Sequence, residues 1–133
     1  MGPLAVVILL DTSILVDALT GQRRSSPALT AAIRAGERIG VAALVLYEWL
    51  RGPRNETELE HQEALLPGDT AVPFGAAEAA IAAALYRRAR RARQRELDLA
   101  IAAVAIARDA LLWTLNPQDF RDLPGLRLYT PPA

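Results

Sequence analysis

The chain has 133 residues, of which 52% are apolar and 23% are charged, a balance that indicates a globular domain and argues against a disordered chain. It contains no cysteine, no lysine and a single histidine, which excludes disulfides, cysteine zinc sites, two-histidine metal sites and lysine-dependent phosphoryl or Schiff-base chemistry. Fifteen arginines balance fifteen acids, so a globally basic nucleic-acid binder is disfavoured, although a local basic patch is not.

The first half of the chain predicts a buried strand followed by helices. Residues 4–10 are continuously apolar and rich in branched side chains, which is typical of a strand covered on both faces, and the run is far too short to span a membrane. Thr12 or Ser13 is a suitable N-cap for a helix that continues to about Leu19. The remaining predicted elements are a helix over 27–35, a strand over 38–42, and helices over 44–51 and 56–66.

The second half continues this alternation. A strand is predicted over 70–74, and Pro73 places it at an edge of the sheet or near the strand's end. A long alanine-rich helix over 76–93 follows, then a helix over 97–108 and strands over 111–114 and 126–129. Because strands alternate with helices throughout, we expect one α/β domain over residues 1–133, with helices on both faces of a parallel sheet.

Four acidic residues occupy positions where a carboxylate has both a chemical and a structural interpretation. Asp11 directly follows the first strand, at the edge where sites gather in open parallel sheets, and an aspartate there also suits a helix cap. Glu48 lies in an apolar helical segment, where a charge is costly unless it binds a cation or pairs with Arg51. Asp98 begins a helix whose dipole alone favours an acid, and Asp119 follows a late strand in a sequence typical of turns.

Five short stretches occur in an order that is more specific than any one of them. They are Leu10-Asp11-Thr12-Ser13, Glu48 with Arg51-Gly52, Val72-Pro73-Phe74, Asp98-Leu99-Ala100-Ile101-Ala102-Ala103, and Thr114-Leu115-Asn116 with Asp119-Phe120. In this order the chain resembles the PIN-domain ribonucleases, in particular the toxin components of VapBC-type toxin–antitoxin pairs. The resemblance covers nearly the whole chain. It implies a three-layer α/β/α sandwich around a parallel, roughly five-stranded sheet, and metal-dependent RNA cleavage that leaves a 3′-hydroxyl and a 5′-phosphate.

The resemblance also implies roles for individual residues. Asp11, Glu48, Asp98 and Asp119 are expected to be the catalytic, metal-ligating acids, and the side chains expected to hydrogen-bond around them are Thr12, Ser13, Thr114 and Asn116. Physical chemistry supports a metal independently, because two carboxylates about 4 Å apart repel by roughly 4 kcal/mol at an effective dielectric near 20. Oxygen ligands select Mg²⁺ or Mn²⁺. Such an ion would polarise the scissile phosphate and activate the attacking water.

An arginine run at the end of the long predicted helix is the one strongly basic segment. Its members are Arg87, Arg88, Arg90, Arg91, Arg93 and Arg95, and they surround a predicted apolar stripe formed by Ile81, Leu85, Ala89 and Ala92. Arginine forks suit phosphate, so the run, together with Arg51, is a candidate RNA-binding surface. A solvated helix face and a docking surface for an acidic antitoxin segment are the alternatives.

These observations predict the toxin of a type II toxin–antitoxin pair that acts on RNA in the cytoplasm, without contact to a membrane. The expected partners are a small cognate antitoxin and a second copy of the chain, with Leu46 and Trp49 as apolar candidates for the dimer surface. Three alternatives remain: a PIN-domain RNA-processing nuclease outside a toxin pair, a PIN domain that binds RNA or a partner without cutting, and another acid-rich α/β enzyme. The missing lysine argues against the last.

Overall fold

In the computed structural model, residues 7–132 are described. Four strands pair in parallel in the spatial order β2-β1-β3-β4. Their bounds are β1 Val7–Leu10, β2 Arg38–Gly40, β3 Leu111–Trp113 and β4 Arg127–Leu128. The predicted first strand is therefore present from Val7 onward, and its positions 4–6 lie outside the described residues.

Six α-helices connect these strands within the described range. They are α1 Thr12–Leu19, α2 Ser26–Arg34, α3 Ala43–Arg51, α4 Glu56–Leu65, α5 Ala76–Arg88 and α6 Glu96–Ala107. The start of α4 shows why the sequence folds where it does: Asn55 Oδ1 accepts a hydrogen bond from the Glu58 backbone N–H, and Glu58 Oε1 accepts one from the Asn55 N–H. This reciprocal cap satisfies two backbone donors that a helix start leaves unpaired.

The sheet is covered on both faces. Ile8, Leu9 and Leu10 are consecutive in β1 and each is at most 1% exposed. Because successive side chains of a strand point to opposite faces, their common burial requires helices on both sides, which makes the fold the expected α/β/α sandwich. The helix α6 is buried through Ile101–Ala105, so it packs inside the domain rather than on its surface.

The fifth strand, predicted over 70–74, is reduced to a single bridge. Val72 N–H donates to Val41 O at 2.9 Å, and Ala43 N–H donates to Val72 O at 2.8 Å. A 3₁₀ turn occupies Gly68–Thr70 just before this point, and Pro73 has no N–H to extend the ladder. Within residues 7–132 the sheet therefore has four strands and one isolated bridge, where roughly five strands were expected.

The helix predicted over 76–93 ends at Arg88. Ala89 is extended, Arg91 has a left-handed backbone with φ 53°, and a 3₁₀ turn spans Ala92–Arg95. A continuous helix would stack arginines three and four residues apart, and such like-charge pairs are destabilising. The predicted stripe still faces inward, because Leu85 is buried and Ile81, Ala89 and Ala92 pack against the core. The arginines, however, do not share one helical face.

Within residues 7–132, no helix is long and apolar enough to cross a membrane.

Candidate active site

The candidate site lies at the carboxyl ends of β1 and β3, the two central strands. The chain passes from β1 outward to β2 and then crosses back to β3 on the other side, so the strand order reverses between β1 and β3. Such a reversal opens a crevice at the carboxyl edge of a parallel sheet. Asp11 follows β1 and Thr114 follows β3, and the Asp11 N–H donates to Trp113 O at 2.8 Å. The two strand ends are thus held side by side.

Asp11 is fixed by two hydroxyl groups. It is 5% exposed and stands at the N-cap of α1, yet its side chain makes no capping hydrogen bond. Instead its Oδ2 accepts from Thr114 Oγ1 at 2.7 Å and from Ser13 Oγ at 3.0 Å. Each hydroxyl accepts a backbone N–H in turn, from Asn116 and Leu115, both at 3.0 Å, so its single proton is directed at the carboxylate. This geometry excludes the capping interpretation of Asp11.

Glu48 is brought to the same edge by α3. Its Oε1 accepts from Thr12 Oγ1 at 2.5 Å, which links α3 to the first turn of α1. Its Oε2 lies 3.5 Å from Arg51 Nη2, so the predicted ion pair is present as well. The Arg51 side chain is 53% exposed and its guanidinium lies 5.1 Å from the ring centroid of Tyr47. An exposed pair of this kind contributes little to stability, so Glu48 remains available to another cation.

Asp98 lies in the first turn of α6 and is partly buried. Its pKa is raised from 3.8 to about 6, first by burial and then by the negative charges of Asp11, Glu48 and Asp119, while Arg95 acts in the opposite direction. A carboxyl group whose pKa is raised by burial and by neighbouring charges is typical of functional sites. The four acids that are widely separated in sequence are therefore electrostatic neighbours in the fold.

Asp119 is the exposed member of this group. It ends the 3₁₀ turn Pro117–Asp119, where its N–H donates to Asn116 O at 2.9 Å. Its own carbonyl accepts from Arg95 Nη2 at 2.9 Å. The Asn116 side chain is exposed and makes no hydrogen bond within residues 7–132, so only its backbone contacts the site in this structure.

The donor chemistry of the four acids fits a hard divalent cation, although they do not form a closed cage. Among residues 7–132, no three Asp, Glu or His side chains lie close enough together to hold one ion. Glu48 Oε1 accepts a hydrogen bond from Thr12, and its Oε2 pairs with Arg51. The donors are all oxygens, which suits Mg²⁺ or Mn²⁺. The raised pKa of Asp98 is caused first by burial and then by the neighbouring negative charges, and a bound cation would lower it.

The candidate RNA-binding arginines separate into two groups. Arg95 is largely buried, with a side chain 18% exposed, and is paired with Asp122. Five others are exposed and form no salt bridge within residues 7–132: Arg87, Arg88, Arg90, Arg91 and Arg93.

Two contacts beside the site were not anticipated from the sequence. Asp122 forms the pair with Arg95, and Ser25 Oγ donates to Asp17 Oδ2 at 2.5 Å, tying the start of α2 to α1. No local spacing signals either contact, because each joins segments whose approach is decided by the packing of whole helices. His61 is exposed, and Arg23 Nη2 lies 3.2 Å from its Nδ1.

Comparison with known proteins agrees with this geometry. The family model described as PIN domain matches residues 8–126, and the chain belongs to the PIN-domain family. It is 38% identical over 124 residues to Ribonuclease VapC19 of Mycobacterium tuberculosis (strain CDC 1551 / Oshkosh), an alignment that covers 90% of this chain and 96% of the relative.

Solved structures share the fold. A toxin–antitoxin complex from Klebsiella pneumoniae contains a chain that is 25% identical with a TM-score of 0.70, covering 94% of this chain and 98% of that one. A chain of the DNA-bound VapBC structure from Salmonella typhimurium superimposes with a TM-score of 0.75 at 17% identity, covering 93% of this chain and 97% of that one. At such identity the second similarity supports the fold alone.

Proposed function

We propose that the protein is a Mg²⁺- or Mn²⁺-dependent endoribonuclease and the toxin of a type II toxin–antitoxin pair, acting in the cytoplasm. Family membership and the similarity to Ribonuclease VapC19 support the nuclease activity. The single observation that carries the metal dependence is the placement of acids at the carboxyl edge of the sheet, where the hydroxyl groups of Ser13 and Thr114 hold Asp11 and that of Thr12 holds Glu48. The raised pKa of Asp98, caused first by burial and then by the charges of Asp11, Glu48 and Asp119, supports it.

The contacts of the site indicate which residues would bind the metal and which would position them. Asp11, Glu48, Asp98 and Asp119 would hold the cation, which when bound polarises the scissile phosphodiester and lowers the pKa of the attacking water. Thr114 and Ser13 fix Asp11 through one carboxylate oxygen and leave Oδ1 without a hydrogen bond from the described residues. Because these hydrogen bonds hold the ligand in place before the reaction, little free energy is needed to reorganise the site during it.

The metal requirement gives the first prediction. Purified protein with single-stranded RNA should cleave in Mg²⁺ or Mn²⁺, stop in excess EDTA, and recover when Mn²⁺ is restored, because the acids alone have no cation to neutralise the phosphate. Glu48→Gln purified in parallel is the control for contaminating ribonuclease and should be inactive throughout. Full activity of the wild-type protein in excess EDTA would refute the metal dependence.

The proposed partners are a small antitoxin that covers the acidic crevice and a second copy of this chain. The helix α3 supports the dimer, since Tyr47 is 55% and Leu50 is 53% exposed, and exposed apolar patches commonly mark interfaces. Of the two residues expected at this surface, Leu46 is partly buried against the core. Trp49 was wrongly assigned there: it is 0% exposed, and Arg54 packs over its ring at 4.2 Å.

The dimer can be tested on α3 directly. Leu50→Glu is expected to convert a dimer into a monomer in light-scattering measurements, because it places a charge in an apolar contact. Ile33→Glu, on α2 and 40% exposed, is the matched control and should remain dimeric. A wild-type protein that is monomeric at high concentration would contradict the proposal.

A further inference from the structure

The arginine run is interrupted at a strained position. Arg91 has a left-handed backbone, with φ 53° and ψ 41°, directly before the 3₁₀ turn Ala92–Arg95. A residue with a Cβ atom is disfavoured in this conformation unless its surroundings hold it there. The Gln94 N–H donates to Arg91 O at 3.1 Å, and Arg95, at the other end of the turn, donates to the carbonyl of the preceding residue, Arg90.

The guanidinium of Arg95 forms hydrogen bonds with other groups of the protein. Nη1 donates to Asp122 Oδ2 at 2.9 Å and to Arg90 O at 3.0 Å, and Nη2 donates to Asp122 Oδ1 at 2.7 Å and to Asp119 O at 2.9 Å. These bonds use all four N–H groups of the two terminal nitrogens. Arg95 therefore has no fork left for a phosphate, and it ties the arginine segment to the loop that carries Asp119.

A hollow of about 320 Å³ lies between the two tied segments. It is lined by Arg90, Arg91, Arg95, Gln118, Asp119 and Asp122. The charges of Arg95 and Asp122 compensate each other in a two-point pair, and Arg90 also lies near enough to lower the pKa of Asp122. Arg90 and Arg91 form no salt bridge among the described residues, and the lining as a whole carries three arginines and two aspartates, which is a net charge of +1.

We propose that Arg90 and Arg91 form a subsite for one RNA phosphate adjacent to the scissile one, and that Arg95 is a positioning residue that sets this subsite against Asp119. The proposal rests on the proposed function, because Asp119 marks the reacting phosphate only if it is a site acid. It assigns different roles to arginines that the sequence presents as one run. Arg88 and Arg93, which do not line the hollow, should contribute little.

The first experiment compares two double variants of equal charge. Arg90→Gln/Arg91→Gln and Arg88→Gln/Arg93→Gln each remove two positive charges from the same segment. Binding of a fluorescent single-stranded RNA is measured in EDTA, where the nuclease is inactive, over a series of salt concentrations. Loss of one phosphate contact should lower the log–log salt slope by about 0.7 in the first variant and leave the second at the wild-type value. Equal slopes in the two variants would overturn the subsite.

In the second experiment, net charge and the positioning role predict opposite changes in RNA affinity. Asp122→Asn makes the protein more positive, so charge alone predicts stronger RNA binding. The positioning role predicts weaker binding, because Arg95 loses its two-point partner and the subsite loses its fixed geometry. Arg95→Lys, which keeps the charge without the fork, should weaken binding in the same way. Stronger binding by Asp122→Asn would refute the positioning role.

The two proposals can fail separately. If wild-type protein binds RNA and cleaves it in Mn²⁺ while the hollow variants bind like wild type, the subsite is wrong and the nuclease assignment stands. If wild-type protein neither binds nor cleaves RNA, both are wrong. Melting temperatures of all variants confirm that the fold is retained.

Discussion

Asp98→Asn is expected to stabilise the metal-free protein above pH 6 while abolishing RNA cleavage. The pKa of Asp98 is raised from 3.8 to about 6 by burial and by the neighbouring acids. Between these values the folded state binds more protons than the unfolded state, so the free energy of unfolding falls as pH rises through this window. Asparagine is the neutral isostere of aspartate, so Asp98→Asn should not show this decrease in the free energy of unfolding.

The size of the effect follows from the same shift. The displacement from 3.8 to about 6 corresponds to about 3 kcal/mol without screening. Because Asp98 is only partly buried, solvent should reduce the difference to about 1–2 kcal/mol. Denaturant titrations in EDTA at several pH values between 4 and 7 measure it directly.

A matched control separates this effect from a general loss of negative charge. Asp69 is an exposed acid without a salt bridge in the part of the chain that is described, and Asp69→Asn should leave the pH profile of the wild-type protein unchanged. If the free energy of unfolding of Asp98→Asn falls between pH 4 and 6 as steeply as that of Asp69→Asn, the convergence of the acids around Asp98 is contradicted.

The sequence predicts the core of this fold well because buried segments can be recognised from their local pattern of apolar residues. The continuous apolar run at β1 and the alternation of strands and helices are sufficient to predict a parallel sheet, and the helices begin and end close to the predicted residues. Two predicted elements differ from the structure: the strand over 70–74 is one bridge, and the helix over 76–93 ends at Arg88. The segment from Thr70 to Phe74 has the composition of a strand. Because Pro73 lacks an N–H and a turn precedes the segment, it pairs with the sheet through a single bridge.

The positions of the candidate acids follow from the sequence more directly than the contacts around them. Asp11 and Thr114 follow buried strands, so their meeting at the crevice follows from topology. The pair of Arg95 and Asp122 joins residues 27 apart in sequence and depends on the break after Arg88, which helical periodicity does not indicate. The sequence therefore presents the arginines as equivalent, while the structure gives Arg95 internal partners.

Asp11→Asn is expected to produce the largest functional loss. The variant keeps an oxygen that can accept hydrogen bonds from Thr114 and Ser13, so the strand ends should remain joined and the fold intact. It removes a negative charge from a residue that is 5% exposed and contributes to the repulsion felt by Asp98. The metal-free variant should therefore be as stable as wild type or more stable, since functional sites commonly sacrifice stability.

The same substitution should remove most of the stabilisation by metal. A ligand stabilises only the state that binds it, by about 2.7 kcal/mol when its concentration is one hundred times its dissociation constant. Wild-type protein should therefore show a clear rise in melting temperature with Mn²⁺, and Asp11→Asn should show little. Ser26→Ala, at the start of α2 and away from the acids, serves as a control that should keep the wild-type response.

The most direct test of the account is a thermal melt of wild-type and Asp11→Asn protein with and without Mn²⁺, accompanied by one RNA-cleavage assay on the same preparations. We expect wild-type protein to cleave RNA and to be stabilised by Mn²⁺, and the variant to lose both properties while its metal-free melting temperature stays equal or rises. A variant that still cleaves RNA and keeps the full Mn²⁺ shift would remove Asp11 from the site and contradict the assignment of these four acids as a metal centre.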